Sequence, residues 1–364
     1  MSYSTVSLAG SMTSSTPTLH LDRLRAHHTQ ALVNIVSNML YPATIDTHAL
    51  TKSLVNLRRH LESPLSCAHS HPATDTNAAE VLEHILLCWV CSLASQTDAQ
   101  NYNFESIVAT ADGLFDKYAV IPALAVSEAI QCTSYLATMS VGIAAVAKTS
   151  IPASLALVLG FAEDHGTFTN AFRALTKLCT KHSVRRAKAG GRWESDNGIY
   201  AVMDAFTRAK SALGLRNRFD SMANAAFIFA SEMASTGAYM PSPSSPSSEY
   251  HRSTTSLSNA SSQGSMGSMS SLGSLDRSSQ MFGVHAERVV TSALALVNAL
   301  IDAHGDVGSR LRLREELLDT ALYKCLKLVE EPEFEHTRAY VELRRFGRAY
   351  SSDINECDPL APGK

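Results

Sequence analysis

Proline and glycine are sparse in this 364-residue chain, at 12 and 18 residues, except in one serine-rich region. Elsewhere little interrupts long stretches rich in Ala and Leu, a composition that favours helix over strand. Alternating β-branched runs joined by turn pairs such as Asn-Gly are lacking, so strands are not expected. No stretch reaches the ~18 to 20 uninterrupted apolar residues of a membrane span. The most apolar one, MSVGIAAVAKTSIPASLALVLGFAE, is broken by Lys148, Ser150 and Pro152. The formal net charge of -3 is small, which argues against a general nucleic-acid binder. Enzyme signatures are missing as well. Asp164 and His165-Gly166 have no Gly-x-Ser-x-Gly elbow, phosphate loop or His-Glu-x-x-His with them, so neither an enzyme nor a cofactor is expected.

Seven cysteines, an odd number scattered through helical stretches, do not form a disulfide framework and fit a reducing, cytoplasmic setting. Cys67, His69, His71, His84, Cys88 and Cys91 contain the ingredients of a zinc site. Against it, Cys88 and Cys91 stand at i and i+3 of an apolar helical run, the spacing of a buried face. Core packing is therefore the preferred reading, and no metal is expected.

What the chain does have is helical periodicity almost throughout. The spacing predicts helices near 32–40, 48–61, 77–95, 103–115, 120–139, 152–163, 167–182, 197–211 and 213–235, with the last three between 284 and 350. In the stretch VNALIDAHGDVGSRLRLREELLDTALYKCLKLV a helix ending at Ala303 buries Val290, Leu294, Val297 and Ile301. Gly305 is expected at a left-handed helix end, with Asp306 or Ser309 capping the next start. A single helix over 310–328 then carries two stripes, Leu313 with Leu317 and Leu318 with Leu322 and Leu326. Two stripes mean cover from two sides, as in stacked helical repeats.

Residues 1–19 and 351–364 read as disordered tails. The segment from Pro241 to Gln280 is more than one-third serine and too poor in apolar surface to order itself. Residues 238–281 are therefore expected to be a disordered insertion in a helical domain. Within it, Arg252 and Arg277 precede serines in the manner basophilic kinases use. Between Thr180 and Arg192 lies a basic link of Lys181, Arg185, Arg186, Lys188 and Arg192, a solvated loop or a contact for anionic lipid.

Several blocks carry a resemblance. Asn298-Ala299-Leu300, an acidic turn, then Arg310, Leu313-Arg314, Glu316-Leu317 and Ala321-Leu322 is similar to the last conserved block of the formin homology 3 region of Diaphanous-related formins. GIYAVMDAFTRAKSALGLRNRF (Gly198 to Phe219) resembles that family's Gly-Tyr-x-x-Val block followed by Arg-Phe. CTSYLATMSVGI (Cys132 to Ile143), AFRALTKLC (Ala171 to Cys179) and LVNLRRHLESP (Leu54 to Pro64) are similar to its preceding elements. The likeness covers roughly residues 45 to 345 and is most specific from 198 to 330.

The resemblance implies an all-α, armadillo-repeat-like superhelix. Residues 20–190 would form the GTPase-binding part and 191–350 the formin homology 3 part. Such regions bind an activated Rho-family GTPase and, in a groove, an amphipathic helix from the formin's own C-terminus; a homodimer is compatible with them. Groove positions that are small or apolar in relatives fall at Arg59, Lys177 and Thr180. A groove asparagine falls at Thr138, and the asparagine cluster that meets the GTPase falls near Glu62 and Ser63. Two cations in place of apolar groups carry a desolvation cost under a nonpolar helix. Since the given sequence reaches Lys364 without a polyproline tract or actin-nucleating domain, actin is expected as an indirect partner only. The implied location is the cytoskeleton or cell cortex. The alternative reading is a helical-repeat adaptor unrelated to Rho signalling.

Overall fold

The computed structural model describes residues 16–40, 46–62, 72–96, 121–162, 164–180, 197–236 and 273–357. Among these residues the protein is all-α, with thirteen α-helices and no strand. In chain order they are α1 (Thr16–Leu40), α2 (Thr47–Glu62), α3 (Pro72–Gln96), α4 (Ala123–Leu136), α5 (Ser140–Val146), α6 (Ile151–Phe161) and α7 (His165–Cys179). Then come α8 (Asn197–Leu213), α9 (Asp220–Ser235), α10 (Gly273–Asp302), α11 (Val307–Leu318), α12 (Leu322–Val329) and α13 (Arg338–Cys357), with a 3-10 turn at Pro332–Phe334. The expected helix at 103–115 lies outside the described residues.

The chain divides into two compact units, Met1–Glu163 with Asn170–Ser221, and Asp164–Thr169 with Met222–Lys364. In the first, α2 buries Leu50, Leu54, Leu57 and Leu61, spacings of three and four that line one face. That face packs on α4, while α3 packs against α4, α5 and α6. Helix α6 buries every residue from Ile151 to Leu159, so it is covered on all sides. Its start is finished by Glu83 of α3, which accepts a hydrogen bond from the Ser150 N–H at 2.6 Å. Gly198 opens α8 where a Cβ would lie 2.2 Å from the Leu178 carbonyl oxygen. Only glycine lets these two backbones approach so closely.

In the second unit α10 packs on α13, and α11 and α12 each contact α13 as well. Helix α10 buries Val290, Ala293, Leu294, Val297, Leu300 and Ile301. By length and composition Gly283–Asp302 could cross a membrane, a property not expected from the sequence; 61% of its most apolar window is buried among the other helices. Asp306 caps α11, accepting from the Ser309 N–H at 2.9 Å, as the spacing predicts.

Four differences from the sequence reading have physical causes or clear bounds. The helix expected over 213–235 begins only at Asp220, because Gly214 takes a left-handed conformation (φ 63°) and ends α8. The Leu215 N–H bonds back to the Lys210 carbonyl at 3.0 Å, which closes that end. Gly305 is not left-handed. The carbonyls of His304 and Gly305 are instead taken by the Arg310 guanidinium, at 3.4 and 3.3 Å. The helix expected over 310–328 is two, α11 and α12. Thr320 donates its hydroxyl to the Leu317 carbonyl at 2.6 Å and accepts from the Leu322 N–H at 3.2 Å, which interrupts the ladder. The second leucine stripe is therefore divided, with Leu318 ending α11 and Leu322 and Leu326 lying on α12. Finally, helix occupies 16–19, 273–281 and 351–357, all assigned to disordered segments from composition. Residues 238–272 of the serine-rich segment lie outside the described residues.

Candidate functional site

Helices α2, α4 and the C-terminal half of α7, all within the first unit, meet around one side chain, Tyr135 of α4. From α2, the Glu62 carboxylate comes close enough to the Tyr135 phenol to favour its protonated form. From α7, the Lys177 ammonium stands 5.1 Å from the centre of the Tyr135 ring and donates to the Ser134 carbonyl at 2.9 Å. That carbonyl belongs to the last turn of α4, where the helix dipole favours a cation. Thr138 donates its hydroxyl to the Tyr135 carbonyl at 2.6 Å. Burial first, and then the Glu62 carboxylate, raises the Tyr135 phenol above its ordinary value.

One turn back on α2, Arg58 bridges two carboxylates, Glu128 of α4 at 2.6 Å and Glu62 at 3.3 Å. Burial opposes the charge on Arg58, and the hydrogen bond and charge of Glu128 outweigh it, so the guanidinium is held more basic than usual. The Cys132 thiol donates to the Leu54 carbonyl beside this pair at 3.6 Å; burial suppresses its ionisation.

Of the six residues expected to bind a partner, Glu62, Thr138 and Lys177 therefore converge on Tyr135. Arg59 is exposed on α2, three residues before Glu62 and hence on the neighbouring strip of surface. Thr180 is exposed one turn beyond Lys177 and donates to the Thr176 carbonyl at 3.0 Å. Ser63 lies outside the described residues. Sequence reasoning missed Arg58, Glu128, Tyr135 and Arg173. The pairing of Arg58 with Glu62 at i,i+4 was visible as a helical spacing. Tyr135 carried no local signal, because its partners come from elsewhere in the chain.

Three of the zinc candidates, His84, Cys88 and Cys91, are among the described residues. Cys67, His69 and His71 lie outside the described residues. Cys88 and Cys91 are buried in α3, where burial pushes their thiols up to about 12 and about 11. Burial pulls His84 below its ordinary value. Among the described residues, no group of three His, Cys, Asp or Glu could hold a metal ion. The basic link from Lys181 to Arg192 and the serines after Arg252 lie outside the described residues, as do the side chains around Arg277. A separate cleft of about 190 Å³ opens at the start of α6, with Glu83, Lys148, Ser150, Asp204 and Arg208 around it. Its charges balance in sign, and Asp204 is engaged by Arg208 at 2.7 Å.

No protein-family model and no curated protein sequence matches this chain.

Proposed function

We propose that this chain is a non-enzymatic regulatory scaffold of formin type, an armadillo-like superhelix that binds the activated form of a Rho-family GTPase. Its place is the cytoplasm, at the cytoskeleton or cell cortex, with actin reached only through other domains or proteins. A helical autoregulatory segment is the second partner. The observation that carries this reading is the cluster at Tyr135. Two of the residues that the formin resemblance implies for partner binding, Glu62 of α2 and Lys177 of α7, stand at the half-buried Tyr135 side chain, and a third, Thr138, bonds the Tyr135 carbonyl. A ring flanked by charged side chains has the composition of a recognition surface, where aromatic and Arg anchors dominate. The cluster lacks the nucleophile–base pairing that covalent chemistry needs.

The GTPase and the helix would compete through differential affinity for the same face. A pull-down with GTP-loaded and GDP-loaded Rho-family proteins tests the reading. Retention of the GTP form alone is expected, and equal or absent retention of both discards it. One observation favours the adaptor alternative. Arg59 and Lys177 stand where the resemblance implies small or apolar groups, so the face suits a different helix from that of formins.

A further inference from the structure

We propose that the exposed stripe of α13, in the second unit, docks on the surface of an anionic lipid bilayer. This goes beyond the reading at Tyr135 and does not rest on it. Helix α13 buries Ala339, Phe346 and Asp353 at spacings of seven, which turns one face to α10, α11 and α12. Arg338, Val341, Arg345, Arg348 and Ser352 recur at spacings of three and four on the opposite face, with Arg344 beside them, and all are exposed. Of the four arginines, Arg345 is held by Asp302 at 2.6 Å. The guanidinium groups of Arg338 and Arg344 have no partner among the described residues, and that of Arg348 reaches only the Arg344 carbonyl, at 3.3 Å. From Arg338 to Arg348 the one carboxylate is Glu342, which is turned to Asn298 and Arg345.

Three unpaired cations thus lie along about 15 Å of one helix face. Their charge calls for an anionic partner, and the form of the stripe selects among anions. It is a ridge, with no groove to receive the side chains of a peptide. It carries no aromatic ring on which a nucleic-acid base could stack. Lipid headgroups need neither feature, because they are mobile, spread in a plane and answer each cation separately. Arginine suits them, since its planar fork meets two oxygens of one phosphate. Val341, 59% exposed on the same stripe, places an apolar side chain at headgroup level. Glu330, Glu331, Glu333 and Glu335 are exposed just before α13 and outside the stripe. They confine the contact to the helix and keep it reversible and salt-sensitive.

The test is co-sedimentation of the full chain with phosphatidylcholine vesicles, with and without phosphatidylserine, at low and high salt. Retention on the phosphatidylserine vesicles at low salt, and release at high salt, are expected. Each unpaired arginine should contribute roughly fivefold to partitioning, so Arg338→Gln/Arg344→Gln/Arg348→Gln is expected to lower it on the order of a hundredfold. The control Lys52→Gln/Lys148→Gln/Arg216→Gln removes the same charge at exposed positions off α13. It is expected to change partitioning by less than about twofold. Circular dichroism confirms that both variants are folded. Undiminished retention of the α13 variant overturns the proposal, as does absent or salt-independent retention of the wild-type chain. Equal losses in the two variants also overturn it, because they report net charge alone. So does a loss produced by neutralising only the basic link from Lys181 to Arg192. Binding of an oligonucleotide or a phosphoserine peptide in place of the vesicles would assign the stripe to that partner instead.

Discussion

Each unit has an arginine–carboxylate centre, and the two differ in how deeply they are buried. In the second unit Arg314 of α11 is 1% exposed and pairs with Asp353 of α13. Arg310 donates to the same carboxylate at 2.7 Å, and the Phe346 and Tyr350 rings lie 5.8 and 5.6 Å from the Arg314 guanidinium. Asn298 of α10 donates to Glu342 of α13 at 2.8 Å. Arg310 and Arg314 thus tie α11 to α13, and Asn298 ties α10 to it. In the first unit, Arg58 keeps 21% of its side chain exposed and shares its charge between a buried and an exposed carboxylate. Its neighbours Arg59 and Arg173 stay open. Residue type alone does not separate the two pairs; burial on both partners does.

Removing Asp353 should have the largest effect. Asp353→Ala strands the fully buried Arg314 guanidinium and takes one of several partners from Arg310, and is expected to destabilise the second unit by about 3–5 kcal/mol in denaturant unfolding. The double change Arg314→Met/Asp353→Leu should recover most of that, because an apolar pair of similar volume leaves no buried charge. A loss below about 1 kcal/mol in the single variant would mean the pair is ornamental.

Gly198→Ala comes next. Its Cβ would meet the Leu178 carbonyl at 2.2 Å, backbone that cannot turn aside, so α8 and α7 must separate at an expected cost of about 1–3 kcal/mol. Glu128→Gln is expected to cost less, about 1–2 kcal/mol, since Arg58 keeps Glu62 and partial solvent. Should Glu128→Gln prove the more costly of the two, Arg58 belongs with the structural pairs and the contrast between the units fails.

The smallest effect is one of pH. Hydrogen bonds from Arg310 first, and from Arg314 against the cost of burial, hold the Asp353 carboxyl below its ordinary value. Its contribution to stability is therefore complete above the unfolded carboxyl value of about 4 and is lost as pH falls through the lower folded value. The stability gap between wild type and Asp353→Asn should be constant from pH 5 to 8 and close below about pH 4. A gap that instead narrows between pH 6 and 8 would assign the effect to another group.

Helical spacing made most elements legible in the sequence, and α2, α6 and α8 fall close to their expected bounds. The misplaced ends trace to single side chains and single dihedrals. Thr320 diverts two backbone bonds between α11 and α12, and Gly214 adopts a conformation that no apolar pattern records. The glycines of two family-like blocks acquire a physical reason in three dimensions. Gly142 and Gly198 each sit where a Cβ would strike a carbonyl, of Leu136 and Leu178 respectively. The candidate site was half legible. Glu62, Thr138 and Lys177 were named by resemblance, but Tyr135, which joins them, depends on packing between distant segments and has no signature in one dimension.

The most direct measurement of the central claim is equilibrium binding of a Rho-family GTPase in both nucleotide states to the wild-type chain and to Tyr135→Ala. Saturable binding of the GTP form, weak binding of the GDP form and a marked loss in Tyr135→Ala are predicted. Indifference to the nucleotide, or full affinity without the tyrosine ring, would contradict it.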